Sequence, residues 1–556
     1  MAAFPVVHRL AVVIRSPSDE EFLVAKQLPP DMPVGEEYQS YLDSDLWDLP
    51  SAALNFLEGE SESSFLVESW DAYVDSIDLR KFNVESAVAQ VLAAAGMEKS
   101  SFRHWKFLKH VEEPEFGPDH RVHTLFIHGS LVHNCSVSSG LKWMSILSLK
   151  TMLVQVERKN GRLGPLVVSG LLADSSILSK FKINKKFLYQ EYPLGVIALP
   201  MGSRTGRPFR TTNLVVIAPD TCAHNFANSG FSVYGDALIV DPGCHSALHP
   251  MLEEIVTALP RKLVVFVTHH HHDHVDGLSV IQRCNPDAVL IAHERTMSRI
   301  GKDLWHLPYT PVCGDERICI AGHELEVIAA PGHTDGHMAL LHTNRRLLIG
   351  HTDGHMALLH TNTRLLIVGD HCVGHGSAVL DIRSGGNMRD YFQTTYKFLG
   401  IQPHALLPMH GRINVWPMQM LCSYLNHRRD RENSILKVVE DGAETLYDIV
   451  AKCYADVDPI LWVHASSNVR LHVDHLALQG KLPKGFSVAK FRASCGLMFL
   501  VPCIWRIVRR EIKVKHIAAI SLAIAAVGIA MLLGLVKTFN HLESHLPQRI
   551  KGQDRI

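Results

Sequence analysis

The chain has 556 residues, with 55 Lys and Arg against 56 Asp and Glu. A net charge of −1 gives no global field that would point to nucleic acid or a membrane surface, and eleven scattered cysteines, an odd number without metal-type spacing, argue for reduced thiols rather than a disulfide framework. The length suffices for about three or four domains, and a hydrophobic fraction of 47% is enough for most of the chain to fold.

Val6 to Ile14 reads as a strand almost from the first residue. No long apolar core and no Arg/Ser-rich lead precede it, so neither secretion nor organelle import is expected. A second strand, Glu21 to Val24, makes a hairpin around Ser16-Pro17-Ser18-Asp19. Asp45 to Pro50 reads as a loop with a buried tryptophan, and Val84 to Ala95 as a helix with Gly96 as its C-cap. Strand, Trp-x-x-Pro loop, helix ending in glycine and further strands resemble a Nudix fold over residues 1–190. That resemblance implies a cluster of helix glutamates holding magnesium over a diphosphate. The corresponding stretch here, Ala89 to Met97, carries Gln and Ala in those places. Without anionic oxygens there is no site for a hard cation, and the module is expected to be a degenerate, catalytically dead Nudix-like unit of α+β type.

Residues 191–420 form the next expected domain. Gly195 to Leu199 and Asn213 to Ile217 are apolar runs of strand length, separated by a basic, Gly-containing loop with Arg204, Arg207 and Arg210. Then a pattern repeats: a short apolar strand ends in a metal-binding residue, with a glycine close by. Ala237 to Val240 ends at Asp241-Pro242-Gly243, and Leu263 to Val267 runs into Thr268-His269-His270-His271-His272-Asp273-His274. Leu325 to Ala330 ends at Pro331-Gly332-His333, Leu365 to Val368 at Gly369-Asp370, and Ala405 to Leu407 at Pro408-Met409-His410-Gly411. Imidazoles and carboxylates leaving several strand ends at one sheet edge are the donors zinc takes.

This motif set resembles the metallo-β-lactamase superfamily, which implies an α/β fold, an αββα sandwich, with a centre for two zinc ions. By that resemblance His269, His271 and His333 hold one ion; Asp273, His274 and His410 hold the other; and Asp370 bridges them. Asp273 and Asp370 thus carry the catalytic roles, and Asp241 orients the histidine-rich loop. Only forty positions separate Asp370 from His410, which leaves no room for the cap domain that defines one RNA-processing branch.

Residues 332–349 and 350–367 are tandem copies of eighteen residues that differ only at Arg345 against Thr363. The copies compete for one ligand position. His333 keeps the strand before it, whereas His351, the alternative ligand, keeps the shorter spacing to Asp370. We take His333 as the ligand and expect the other copy to protrude as an inserted hairpin. His337 and His355 follow in the same motif and read as strand-start or supporting residues. Residues 380–388 read as a loop bordering the substrate cleft, and Asp390 to Leu399 as a helix.

Residues 421–490 show helical periodicity at 428–439, 445–454 and 461–479 and are similar to a small winged-helix appendage. Such a tail follows the hydrolase in the lactamase-beta-2-like branch, which includes single-strand-selective endoribonucleases. Its basic residues, Arg428, Arg429, Arg431, Lys481, Lys484 and Lys490, are dilute. Residues 491–556 hold a basic linker and an uncharged run, Ile517 to Val536, of twenty residues, about 30 Å of helix and enough to span a hydrocarbon core. Arg506, Arg509, Arg510, Lys513 and Lys515 precede it, so a tail anchor with the other domains facing the cytosol is expected; the alternative is a cytosolic protein. Cys495 to Trp505 is also apolar but too short to span. The resemblance implies a zinc-dependent hydrolase whose metal-bridging hydroxide attacks a phosphodiester of single-stranded RNA. The alternatives are an ester, thioester or lactone hydrolase with the same ligands and a membrane-tethered scaffold with an impaired centre. No obligate protein partner is inferred.

Overall fold

The computed structural model describes residues 6–18, 20–57, 79–133, 137–154, 161–172, 187–218, 230–343, 347–352, 355–360 and 364–511. The chain divides into two compact units, residues 1–431 and 432–556. The expected membrane span at 517–536 lies outside the described residues. Among the described residues no helix is long and apolar enough to cross a membrane.

The first unit opens on an eight-stranded sheet. Its strands are β1 (Val7–Arg15), β2 (Glu21–Gln27), β3 (Leu46–Asp48), β4 (Ser51–Ala53), β5 (Phe102–Glu113), β6 (Val122–Leu131), β7 (Leu141–Ser145) and β8 (Arg162–Leu163), with the main order β5-β6-β1-β2-β3-β8. The helix Val84–Ala95 begins at Asn83, whose side chain accepts the Ser86 amide, and stops at Gly96 in the left-handed region. It turns Val84, Val88, Val91 and Leu92 onto Leu10, Val12 and Ile127 of the sheet. The stretch expected to be a loop with a buried tryptophan is partly strand β3. Trp47 is only half-buried there, and Leu49 is the residue that enters the core.

Two further sheets form a sandwich. A seven-stranded sheet has the order β16-β15-β14-β13-β11-β10-β9, built from Gln190–Glu191 (β9), Val196–Gly202 (β10), Thr211–Ile217 (β11), Ala237–Val240 (β13), Leu263–Val267 (β14), Val289–His293 (β15) and Tyr309–Val312 (β16). A six-stranded sheet has the order β12-β17-β18-β19-β22-β23, from Val233–Gly235 (β12), Arg317–Ile320 (β17), His323–Ala329 (β18), Met338–Thr343 (β19), Arg364–Gly369 (β22) and Ala405–Pro408 (β23). Their facing sides share one core, with Val240, Phe266 and Ile291 meeting Val327, Leu340, Ile367 and Leu407. The helices His249–Ala258 and Leu278–Cys284 cover the other side of the seven-stranded sheet through Leu252, Ile255 and Ile281. The helix Met388–Ile401 buries Tyr391 and Phe398 against His371, just beyond β22.

The tandem copies are used unequally. The first copy supplies the ligand turn and β19, whereas the end of the second supplies β22, which pairs antiparallel with β19 in the register Thr343↔Arg364. The residues between form a separate two-stranded sheet, β20 (Leu347–Thr352) with β21 (His355–His360), so His351 and His355 belong to that hairpin.

The second unit is helical over its described residues: Leu446–Cys453, Trp462–Leu478, Val488–Ala493 and Leu497–Glu511, after the unit boundary inside the helix Pro417–Glu440. Thr445 and Asp448 make a reciprocal capping box at the first of these. Trp462, Val469, Val473, Phe491, Phe499 and Cys503 share its core. Within the short apolar run at 495–505, the helix Leu497–Glu511 packs into this core through Phe499 and Cys503. Arg428, counted with the basic surface in the sequence, is instead buried in the first unit: it lies over the Tyr391 ring and donates to the Ala378 carbonyl.

Candidate metal centre

Strands β13, β14 and β22 end at the same edge of the sandwich, and the turns after β18 and β23 reach it too. Gly243 allows a close approach: a Cβ there would lie 1.9 Å from the Asp273 carbonyl oxygen. Gly369, at φ 57°, carries no Cβ that would meet His337 Nε2 at 2.3 Å.

Three imidazole nitrogens converge first. His269 Nε2 lies 2.9 Å from His271 Nδ1 and 3.1 Å from His333 Nε2, and His333 Nε2 is 3.2 Å from His271 Nδ1. Ligands on a tetrahedral ion at ~2.0–2.1 Å stand about 3.3 Å apart, so this triangle is close to one face of such a site. Asp370 Oδ2 is 3.9 Å from His269 Nε2 and 3.8 Å from His333 Nε2. On its other side the same carboxylate meets a second group. Its Oδ2 is 3.5 Å from His274 Nε2 and its Oδ1 3.3 Å from His410 Nε2, while Asp273 Oδ2 lies 3.7 and 3.4 Å from the same two nitrogens. All seven sequence-predicted ligands therefore stand in two adjoining groups joined at Asp370.

The remaining ring nitrogens are held by the fold. His333 Nδ1 donates to the Val379 carbonyl at 2.7 Å and His410 Nδ1 to that of Thr211 at 2.9 Å. Asp241, fully buried, accepts the Thr268 amide and hydroxyl at 2.8 and 2.7 Å and lies 2.9 Å from His274 Nδ1. That contact turns His274 Nε2 toward the pocket. His337 donates through Nδ1 to the Ala330 carbonyl and accepts the Asp370 amide at Nε2, both at 3.1 Å. Asp381, which sequence reasoning left among loop residues, sits 3.3 Å from His271 Nε2 and accepts from Ser384, whose hydroxyl also meets His270 Nε2. Its position in the loop after Asp370 was the only available signal. The basic loop is tied back: Arg204 pairs with Asp276 and Arg210 with Glu115.

Electrostatics separate the two groups. Burial, then neighbouring imidazoles, hold His269 and His333 well below the usual histidine pKa, so both keep a free lone pair at neutral pH. Burial also opposes a charged His274 and His410 and is the largest single effect, but Asp370 and Asp273 together outweigh it, raising His274 well above its usual value and His410 to about 10. For Asp273 burial works the other way and is overcome by His274 and His410, which lower its pKa. This half of the pocket is a strong field for positive charge.

The donor set of imidazole nitrogens and carboxylate oxygens suits a borderline divalent ion such as zinc. His274 Nε2 and Asp370 Oδ1 are buried and have no hydrogen-bond partner among the described residues, as expected of atoms that serve as ligands.

Residues 233–350 match the metallo-beta-lactamase superfamily. The metallo-beta-lactamase match ends at Gly350, where the second tandem copy begins, so Asp370 and His410 lie beyond it. Residues 445–484 match the beta-lactamase associated winged helix domain. The chain is 28% identical over 229 residues to the beta-lactamase-like protein 2 homolog of Drosophila melanogaster, covering 39% of this chain and 69% of that one. The homolog of Caenorhabditis elegans is 25% identical over 254 residues, covering 44% and 75%. Among solved structures, a metallo-beta-lactamase family protein of Thermus thermophilus aligns with 17% identity and a TM-score of 0.38 over 51% of this chain and 94% of that one. The chain carries a metallo-beta-lactamase superfamily hydrolase fold with a beta-lactamase associated winged helix domain.

Proposed function

We propose that the protein is a binuclear zinc hydrolase acting on phosphodiesters of single-stranded RNA. The observation that carries the binuclear reading is Asp370, whose carboxylate stands between two ligand groups: Oδ2 faces His269 and His333 on one side and His274 on the other, and Oδ1 faces His410. Two divalent ions bound there would make water a nucleophile near neutral pH and stabilise the negative charge that develops on the attacked group. The protein's own contribution is to aim these donors: Asp241, His337 and Asp381 fix the rings and the bridging carboxylate, and Phe209 stands against His410 with ring centroids 5.1 Å apart. The winged-helix match at 445–484 supports a nucleic-acid substrate.

The pairing of Arg204 and Arg210 with carboxylates favours a second reading. A rim with two of its three loop arginines already paired suits an ester, thioester or lactone as well as a polyanion. An impaired, scaffold-like centre is the third. We further read the amino-terminal module as a degenerate Nudix-like unit and residues 517–536 as a tail anchor that leaves the hydrolase facing the cytosol.

The deciding assay is the purified protein with added zinc on single-stranded RNA and on a thioester panel. Cleavage of RNA alone is the expected outcome, and turnover of thioesters alone would replace the first reading by the second. Two bound zinc ions without turnover would indicate the scaffold. For the anchor, full-length protein is expected to stay with membranes through alkaline carbonate extraction; release into the supernatant would remove that proposal.

A further inference from the structure

A second histidine cluster lies in the amino-terminal module, away from the hydrolase pocket. Strands β1, β6 and β5 run side by side, with His8 abreast of His123 and His123 abreast of Glu112. His110 stands two residues before Glu112 on the same face of β5. One donor atom from each of His110, Glu112 and His123 lies within 4.8 Å of the others. His110 Nε2 is 3.2 Å from His123 Nδ1, while the opposite nitrogen of the same ring, Nδ1, is 3.8 Å from Glu112 Oε1, so an ion would take one His110 nitrogen and leave the other to the carboxylate. His8, with its ring 5.4 Å from that of His123 and flanked by Phe56 and Phe82, forms the neighbouring wall.

The contact between the two imidazoles runs through His110 Nε2 and His123 Nδ1, with the Glu112 carboxylate beside it. His123 is 7% exposed, and its Nε2 has no hydrogen-bond partner among the described residues. That nitrogen points away from His110, whose contact is with His123 Nδ1, so it is left over whether a proton or an ion lies between the two rings. The 3.2 Å separation also equals the spacing of two nitrogens on one ion at ~2.0 Å. Burial keeps His8, His110 and His123 below the usual histidine pKa, so ligation needs no prior loss of protons at neutral pH.

We propose that His110, Glu112 and His123 bind a divalent ion of the zinc class, a third metal site distinct from the hydrolase pair. Two imidazoles and one carboxylate are a sufficient protein donor set for zinc. Glu112 is 24% exposed at its side chain, which leaves an entry path. The site also has a structural role. Glu113, the next residue, holds Arg412 at 2.6 Å, and Arg412 follows the ligand His410 by two positions. An ion that fastens β5 to β6 therefore fastens the strand end that grips the hydrolase.

The test is a zinc titration of metal-stripped full-length protein against a chromophoric chelator. Wild type is expected to take up one more ion than a His110→Ala/His123→Ala variant, whether or not the hydrolase pocket fills. A His333→Ala/His410→Ala variant reports that pocket separately. Glu112→Gln keeps the shape and hydrogen-bonding capacity of the side chain, so it guards against a misfolded double variant. It is expected to weaken the extra ion by about tenfold or more. Equal uptake by wild type and a folded His110/His123 variant, or unchanged affinity in Glu112→Gln, overturns the proposal.

Discussion

Asp241 sits at φ 50°, a backbone conformation uncommon for a residue with a side chain, and is fully buried. Such strain persists where the surroundings over-determine it, and here three contacts to Thr268 and His274 do so. Asp241→Asn keeps the shape but removes the charge behind His274. Zinc affinity is expected to fall about 10–100-fold, measured by chelator competition, with the folding transition little changed. Gly243→Ala should act on the fold as well, because its new methyl would stand 1.9 Å from the Asp273 carbonyl. A loss of about 1–3 kcal/mol in chemical denaturation is expected, together with weaker metal binding; wild-type values for both would show that the loop has room. In the second unit, burial of Glu432 is outweighed by hydrogen bonds from His472 and His475, which take its pKa from 4.5 to about 2. A folded value below the unfolded one means that its stabilisation is present above pH ~4.5 and lost as the pH falls toward 2. Thermal melts of wild type and Glu432→Gln should differ above pH ~4.5 and converge near pH ~2.

At the scale of elements, the duplication makes the clearest forecast. β19 and β22 pair through Thr343↔Arg364, so removing residues 346–363 would leave Asn344-Arg345 as a two-residue link, a favoured hairpin connection. The shortened chain is expected to bind the same number of zinc ions as the parent and to melt no lower; loss of metal would mean that the inserted hairpin supports the pocket. This region also shows what was legible beforehand. Strands buried on both faces are short apolar runs, so β13, β14, β22 and β23 could be placed within one or two residues, and their terminal ligands followed. Strands β16 and β17 carry Tyr309, Pro311 and Arg317 and lack that contrast, so they passed unnoticed. Asp381 was missed because a loop residue approaches His271 only through tertiary folding. The burial of Arg428 was hidden for a similar reason: arginine on a helix reads as surface unless an aromatic partner such as Tyr391 is known to lie beneath it.

At the scale of the molecule, the amino-terminal module and the sandwich are one compact unit even though their sheets are separate. Arg162, nearly inaccessible, reaches from β8 to the carbonyls of His404 and Val415 on either side of the His410 turn, and Asp43 accepts the amides of Met418 and Gln419. Arg412 returns the contact, donating to Glu113, Pro114 and His120. Arg412→Ala leaves Glu113 without that cation, and a loss on the order of 3 kcal/mol is expected by denaturation. Zinc uptake at the His410 half of the pocket should weaken in parallel, whereas an unchanged affinity would confine the contact to stability.

This grip makes the hydrolase a poor candidate for transplantation. A fragment cut at residue 191 would carry His410 on a turn stripped of its buttress, with Arg412 pointing at partners left behind. Inherited or engineered exchange of catalytic halves between such chains would have to move the front module as well, and that region can thereby be retained for the sake of the carpentry it provides.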